Sequence, residues 1–289
     1  METADLGTFT EPVLICGGAY GNLQSLEALA ELQLSLGISD ARVIHSGDAV
    51  AYCADTEGSV RFMAARGWHA IKGNVEEQIV VGGADCGCGY AEGSACDAAS
   101  VRWYAHALAT LSAGSRQWMA DLPAQLAFSV GGVSARVVHG SVRQTNRFMF
   151  ASLPDTEFER ELDATGADLV IAGHVGIPFT RFIGNHCWHN SGALGMPAND
   201  GTSRIWASVL TPQPGGVSLT HHAIGFDAHT AATRIRTQGL PYGYADSLET
   251  GLWPSLDVLP EHERTTTGQA LPLDGRTFLM AGRSSIAAE

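Results

Sequence analysis

The chain has 289 residues, 45% hydrophobic and 16% charged, with 17 basic against 30 acidic side chains and a formal net charge of −13. That length and composition support a substantial core, and the acidic balance argues against a broad nucleic-acid or anionic-membrane surface. No apolar run reaches the roughly 18 residues of a membrane span. The polar start from Met1 to Pro12 has neither a basic nor an apolar signal region, so a cytoplasmic protein without a membrane partner is expected.

Residues 1–11 read as an N-terminal tail. Pro12-Val-Leu-Ile-Cys16 reads as a buried strand, followed by a Gly-rich loop and a helix capped by Asn22 that ends near Gly37. Arg42-Val-Ile-His45 predicts a second strand, stopping at Gly47-Asp48, and residues 56–65 a helix stopped by Gly67. His69-Ala-Ile-Lys72 predicts a third strand, stopping at Gly73-Asn74, with Glu76 and Glu77 suited to the first turn of the next helix. Residues 83–97 form a Gly/Cys-rich loop. Residues 98–120 read as helix, broken near Gly114. Residues 125–130 and 133–139 predict a hairpin on Gly131-Gly132. A polar loop, a helix over 155–165 and the run Asp168-Leu-Val-Ile-Ala172 follow. Residues 181–189 predict a second hairpin, residues 203–211 and 217–222 further strands, and residues 226–237 a late helix. From Gly251 the chain is Pro/Thr/Gly-rich and reads as an irregular extension over 251–289. Strands alternate with helices early and hairpins appear late. This predicts a mixed α/β sandwich, one domain over 12–250, with two sheets covered by helices.

Four strand ends carry polar residues: Gly47-Asp48, Gly73-Asn74, Val138-His139-Gly140 and Gly173-His174. Ligands bind at the carboxyl edge of such sheets, and Asp, Asn and two His on one edge form a candidate metal site. Each residue also has a plainer reading. Asp48 suits an Asx-turn, Asn74 is a natural N-cap, and a lone His after a strand is commonly structural.

Taken in order, these blocks resemble the calcineurin-like metallophosphoesterases, in the branch of small bacterial phosphodiesterases and diadenosine-tetraphosphatase-like proteins. That family reads Asp-x-His-Gly-Asn, Gly-Asp, Gly-Asn-His-Asp/Glu, His-Gly and Gly-His-Thr-His. Asn190-Ser-Gly-Ala-Leu-Gly195 is similar to the Asn-Pro-Gly-Ser turn that follows these blocks in the family. The resemblance covers residues 12–244. It implies a four-layer α-β-β-α sandwich of two mixed β-sheets flanked by helices, and two metals roughly 4 Å apart that clamp a phosphoryl group. Carried over residue by residue, the second metal site is complete: Asp48, Asn74, His139 and His174. The first is not, because Gly18, Tyr20 and Gly176 stand at its Asp and two His positions, and Val75 stands at the proton-donor position. Glycine offers no side-chain ligand, and a tyrosine coordinates only as a phenolate, against a reference pKa of about 10. Tyr20 reads first as a filler of vacated space.

The resemblance therefore implies one divalent transition metal, with a mixed O/N ligand set suiting zinc, manganese, iron or nickel over calcium. A second tightly held metal is not expected. A hydrolase of phosphoesters or phosphoanhydrides in a small phosphorylated molecule is the first expectation, with Arg143, Asn146 and Arg147 as phosphate contacts. The alternative is a non-catalytic descendant that binds a metal or nucleotide. A third possibility is different chemistry through Tyr20 or thiols. Cys86, Cys88 and Cys96 form a possible thiol cluster, although the spacing is not the Cys-x-x-Cys of zinc sites. Buried free thiols are the simpler reading, and the loop is expected to cap the site. His45, His186, His189, His221 and His222 read as structural.

Overall fold

A computed structural model describes residues 2–272 and 275–281. Two six-stranded sheets lie face to face. One is ordered β1 (Thr3–Phe9), β5 (Gln125–Val130), β6 (Val133–Val137), β7 (Leu169–Ala172), β9 (His186–Asn190), β8 (Phe179–Ile183). The other runs β12 (Arg276–Met280), β11 (Gly216–Ile224), β10 (Ile205–Gln213), β2 (Val13–Cys16), β3 (Val43–His45), β4 (His69–Ala70). Parallel and antiparallel pairs occur in both sheets.

The short apolar strands explain the layering. Alternate residues of a strand face opposite ways, so a strand buried on both faces must be apolar throughout. In β2, Val13 and Ile15 join the core between the sheets, whereas Leu14 and Cys16 face helices. In β7, Leu169 and Ile171 point inward, and Val170 and Ala172 point out. The second sheet is covered by α1 (Leu23–Ser35), α2 (Thr56–Arg66), α3 (Asn74–Val81), α4 (Ala95–Thr110), α5 (Ala113–Asp121), α7 (Ala228–Thr237) and α8 (Tyr242–Thr250). The first is covered by α6 (Asp155–Thr165), through Phe158 and Leu162. The result is the four-layer α-β-β-α sandwich with mixed sheets. Strands β2, β3 and β4 run parallel, as do β6, β7 and β9.

Three segments differ from the sequence reading. The expected tail over 1–11 is not one across its described residues, because β1 runs parallel to β5, with Thr3 opposite Gln125 and Phe9 opposite Val130. The strand is half-exposed and its register shifts between Asp5 and Thr8, so it has no clean apolar alternation to read. The extension after residue 250 is not wholly irregular either. It contains α9 (Glu261–Thr265) and β12, which pairs with β11 through backbone groups and buries Leu279. Residues 273–274 and 282–289 of that extension lie outside the described residues. The helix break falls at Ser112 rather than Gly114, because the Ser112 hydroxyl accepts the Ser115 N–H and starts a new helix. Helix α8 has no counterpart in the sequence reading. No helix among the described residues is long and apolar enough to cross a membrane.

Candidate metal centre

Five loops leave the carboxyl ends of β2, β3, β4, β6 and β7 at one edge, carrying Tyr20, Asp48, Asn74, His139 and His174. Close approach there needs glycine. A β-carbon on Gly47 would stand 2.6 Å from His139 Nδ1 and 2.7 Å from the Gly73 nitrogen. Three non-glycine residues adopt left-handed backbone at these strand ends: Tyr20 (φ 53°), Asp48 (φ 61°) and His174 (φ 63°). Such residues are uncommon, and strain of this kind clusters at functional sites.

His139 is the hub. Its Nε2 lies 3.2 Å from Asp48 Oδ2, 3.1 Å from Asn74 Oδ1 and 3.2 Å from His174 Nδ1. Its Nδ1 lies 2.7 Å from the Ser46 carbonyl and donates to it, so in the neutral ring Nε2 presents a lone pair inward. Asn74 Nδ2 donates to the Cys86 carbonyl at 2.9 Å, which turns Oδ1 towards His139. Two ring nitrogens, a carboxylate oxygen and an amide oxygen therefore converge. Lone pairs so crowded repel unless a cation or proton sits among them. Among the described residues, Asp48, His139 and His174 are the group of His, Cys, Asp or Glu side chains placed to share a metal, with ligand atoms within 4.8 Å of one another.

The electrostatics of these side chains are linked. Burial alone would raise Asp48, but His139, its hydrogen bond and His174 outweigh it and hold the carboxyl below its ordinary value. Burial alone would lower His139, yet Asp48 and the Ser46 carbonyl hold it above the ordinary value, so this ring has to give up a proton to a metal. His174 is pushed down to about 3 by burial and by His139, and so stays neutral, as a ligand must be.

The sequence reading gave Glu76 a place at the helix start but no role in the site. Glu76 is fully buried on α3 and accepts N–H groups from Asp48 (2.8 Å), Ala49 (2.9 Å) and Gly73 (2.8 Å). It ties the Asp48 turn to the Asn74 turn. Burial and the Asp48 charge push its pKa up to about 7, against the Gly73 and Asp48 N–H donors. The available signal was its place two residues after Asn74, which reads equally as a helix-start preference.

The profile of the calcineurin-like phosphoesterase superfamily domain matches residues 13–211. The chain belongs to the calcineurin-like phosphoesterase superfamily. Solved structures share its fold. A metallophosphoesterase from Sphaerobacter thermophilus aligns with a TM-score of 0.66 at 19% identity, covering 84% of this chain and 100% of that one. A hypothetical protein from Pyrococcus horikoshii OT3 aligns at 0.68 and 14%, covering 84% and 99%. No curated protein matches the chain in sequence.

This member of the superfamily brings Asp48, Asn74, His139 and His174 into a set that fits one divalent metal, and aromatic rings stand beside Gly18 and Gly176. A β-carbon on Gly18 would stand 2.7 Å from Cζ of Tyr20, so that ring occupies the space of a side chain at residue 18. One on Gly176 would stand 3.2 Å from Cζ2 of Trp253. Burial, then the Asp48 charge, pushes the Tyr20 phenol up, which disfavours a phenolate ligand. Val75 is fully buried and apolar. A cavity opens above the centre, with Asp48 and His174 on its floor, and Tyr20, Gly176 and Trp253 among its walls.

Of the predicted phosphate contacts, Asn146 meets His174 through its backbone, and the three side chains are engaged elsewhere or exposed. Arg147 pairs with Glu157 and with Glu161 (3.0 Å) on α6, which neutralises its charge. Asn146 Nδ2 donates to the Gly87 carbonyl at 2.8 Å, and Arg143 is exposed. None of the three lines the cavity. The thiols do not form a three-ligand cluster. Gly87, at φ 65°, folds Cys86 and Cys88 onto each other as a bonded sulfur pair rather than free thiols. Cys96 sits on α4, and it lines the cavity with Cys88. The 83–97 loop does cap the site, through the Cys86 carbonyl on Asn74 and through Tyr90 in the cavity wall.

Proposed function

We propose that the chain is a metal-dependent phosphoesterase that uses one zinc, manganese, iron or nickel ion and acts on a small phosphorylated molecule in the cytoplasm. The observation that carries this reading is the convergence of Asp48 Oδ2, Asn74 Oδ1 and His174 Nδ1 on His139 Nε2, with the far side of the His139 ring locked to Ser46. A divalent ion held there supplies Lewis acidity towards a phosphoryl oxygen. The protein's own contributions are distinct. Asp48 brings the single negative charge of the ligand set, Asn74 and the two imidazoles bring neutral donors, and Glu76 fixes the two turns that carry Asp48 and Asn74. Val75 offers no proton to a leaving group.

Elemental analysis of purified protein, with assays on phosphomonoesters, phosphodiesters and dinucleoside polyphosphates, tests the reading. One ion per chain, lost with activity in the His139→Ala/His174→Ala double variant, is expected. Metal content and turnover unchanged in that variant would refute it. The rings at the first-metal positions favour a second reading, a binding protein without turnover. Tight ligand binding with no hydrolysis of any of these substrates would support that one instead.

A further inference from the structure

We propose that the cavity above the metal centre is a leaving-group subsite for a planar aromatic ring, and that the favoured substrate is an aryl phosphodiester. This deepens the phosphoesterase reading and rests on it. Six aromatic side chains wall the cavity: Tyr20, Tyr52, Tyr90, Phe148, Tyr244 and Trp253. Their positions are set before any ligand arrives. Tyr52 stacks on Tyr244 with centroids 4.7 Å apart and planes 26° apart, and meets Tyr20 edge-on at 4.7 Å. The Tyr52 and Tyr90 hydroxyls share a hydrogen bond of 2.8 Å. Trp253 Nε1 donates to the Pro197 carbonyl at 2.7 Å, and its backbone N–H to Asn199 Oδ1 at 2.8 Å. Phe148 lies 4.4 Å from the His174 ring, so the aromatic wall runs down to the ligand set. Preorganised aromatic faces favour offset or edge contacts with another ring.

Charge selects the phosphoryl group. No lysine or arginine among the described residues lines the cavity. A divalent ion beside Asp48 would face only one phosphoryl charge of a monoanionic diester, whereas the second charge of a monoester and the further charges of a polyphosphate would meet no cationic side chain on the walls. The aromatic walls select the leaving group, because they favour contact with a ring over an alkyl chain. An aryloxide, with a phenol reference pKa of about 10, also departs more readily than an alkoxide. In the step, a water oxygen bonds to phosphorus and gives its proton to solvent. The phosphorus–aryl oxygen bond breaks, and its electron pair departs on the aryloxide.

Isothermal calorimetry on the manganese-loaded protein, with diphenyl phosphate and dimethyl phosphate as probes, tests the proposal. Diphenyl phosphate is expected to bind about tenfold tighter or more, the scale of one or two aromatic contacts. Trp253→Ala is expected to weaken diphenyl phosphate several-fold and leave dimethyl phosphate unchanged. Equal affinity for the two probes in the unmodified protein, or binding of neither, overturns the proposal and needs no variant. An aryl preference in binding without turnover of any ester keeps the subsite and refutes the hydrolase reading. Turnover with no aryl preference does the reverse.

Discussion

Gly18 and Tyr20 are a coupled pair: a β-carbon at residue 18 would lie 2.7 Å from Cζ and 2.9 Å from Cδ1 of the Tyr20 ring. The residue that cannot ligate a metal leaves the room that the aromatic ring occupies. Gly18→Asp alone should overpack this spot and cost about 1–3 kcal/mol. In the Gly18→Asp/Tyr20→His double variant the clash is gone, so the two effects should fail to add by about 1 kcal/mol or more. Urea denaturation of the four proteins of this cycle measures it, and additive effects would mean that the two positions are independent.

His139 holds the centre together through both ring nitrogens, one towards Ser46 and one towards the other three ligand side chains. His139→Ala should abolish stoichiometric metal uptake while the sandwich stays folded, because this buried side chain stands at the sheet edge, outside the apolar clusters that join the layers. Metal content by plasma mass spectrometry, alongside far-UV circular dichroism, checks both halves. Retention of a full complement of metal would be inconsistent with the assigned ligand set.

Glu76 accepts three backbone N–H groups from a fully buried position. In Glu76→Gln the amide end that replaces one carboxylate oxygen cannot accept, so at least one buried donor loses its partner, at about 1–3 kcal/mol. Loosening the turns that present Asp48 and Asn74 should also lower metal affinity by about 10–100-fold, as for other supporting contacts to ligands. Chemical denaturation and a competitive metal titration report the two effects separately.

A closed ring of hydrogen bonds pins the two sheets beside the site. Thr180 bonds His189 Nδ1 (3.0 Å) and His221 Nε2 (3.1 Å), and Ser208 bonds His189 Nε2 (3.0 Å) and His221 Nδ1 (3.3 Å). With each group donating once around the ring, all four bonds form only when both imidazoles are neutral. Burial lowers both, His221 to about 4. The unfolded chain takes up protons near pH 6.5 and the folded chain does not. Stability is therefore full above pH 6.5 and falls as pH drops from there to about 4. His221 contributes about 3 kcal/mol to that loss, and His45, also lowered to about 4 by burial, adds to the slope. Thermal melts from pH 7 to pH 4 should show the decline, and His221→Gln should make it shallower. An unchanged slope in the variant would rule out the assignment.

Much of the site was legible because its ligands sit where local signals change abruptly. Asp48, Asn74, His139 and His174 each follow a short apolar strand and touch a glycine, so the stop of the strand and the polar residue are read together. The roles of Arg143 and Arg147 were not legible in this way. Their chemistry suits phosphate, but Arg147 meets carboxylates on α6, 10 and 14 residues further along the chain, and no local pattern encodes that pairing. Glu76 was passed over because a helix start prefers an acidic residue for its own reasons.

The sequence by itself determined the alternation of buried strands and covering helices and the order of the strand-end motifs, since each is written in adjacent residues with periods of 2 or 3.6. Tertiary structure decided the rest. It made strands of Thr3–Phe9 and Arg276–Met280, whose pairing is through backbone groups that carry no side-chain signature. It also brought Trp253, 77 residues after Gly176, into the room that Gly176 leaves. Such contacts depend on which surfaces meet once the sheets are packed, and the same packing walls the cavity above Asp48 and His174 with aromatic rings.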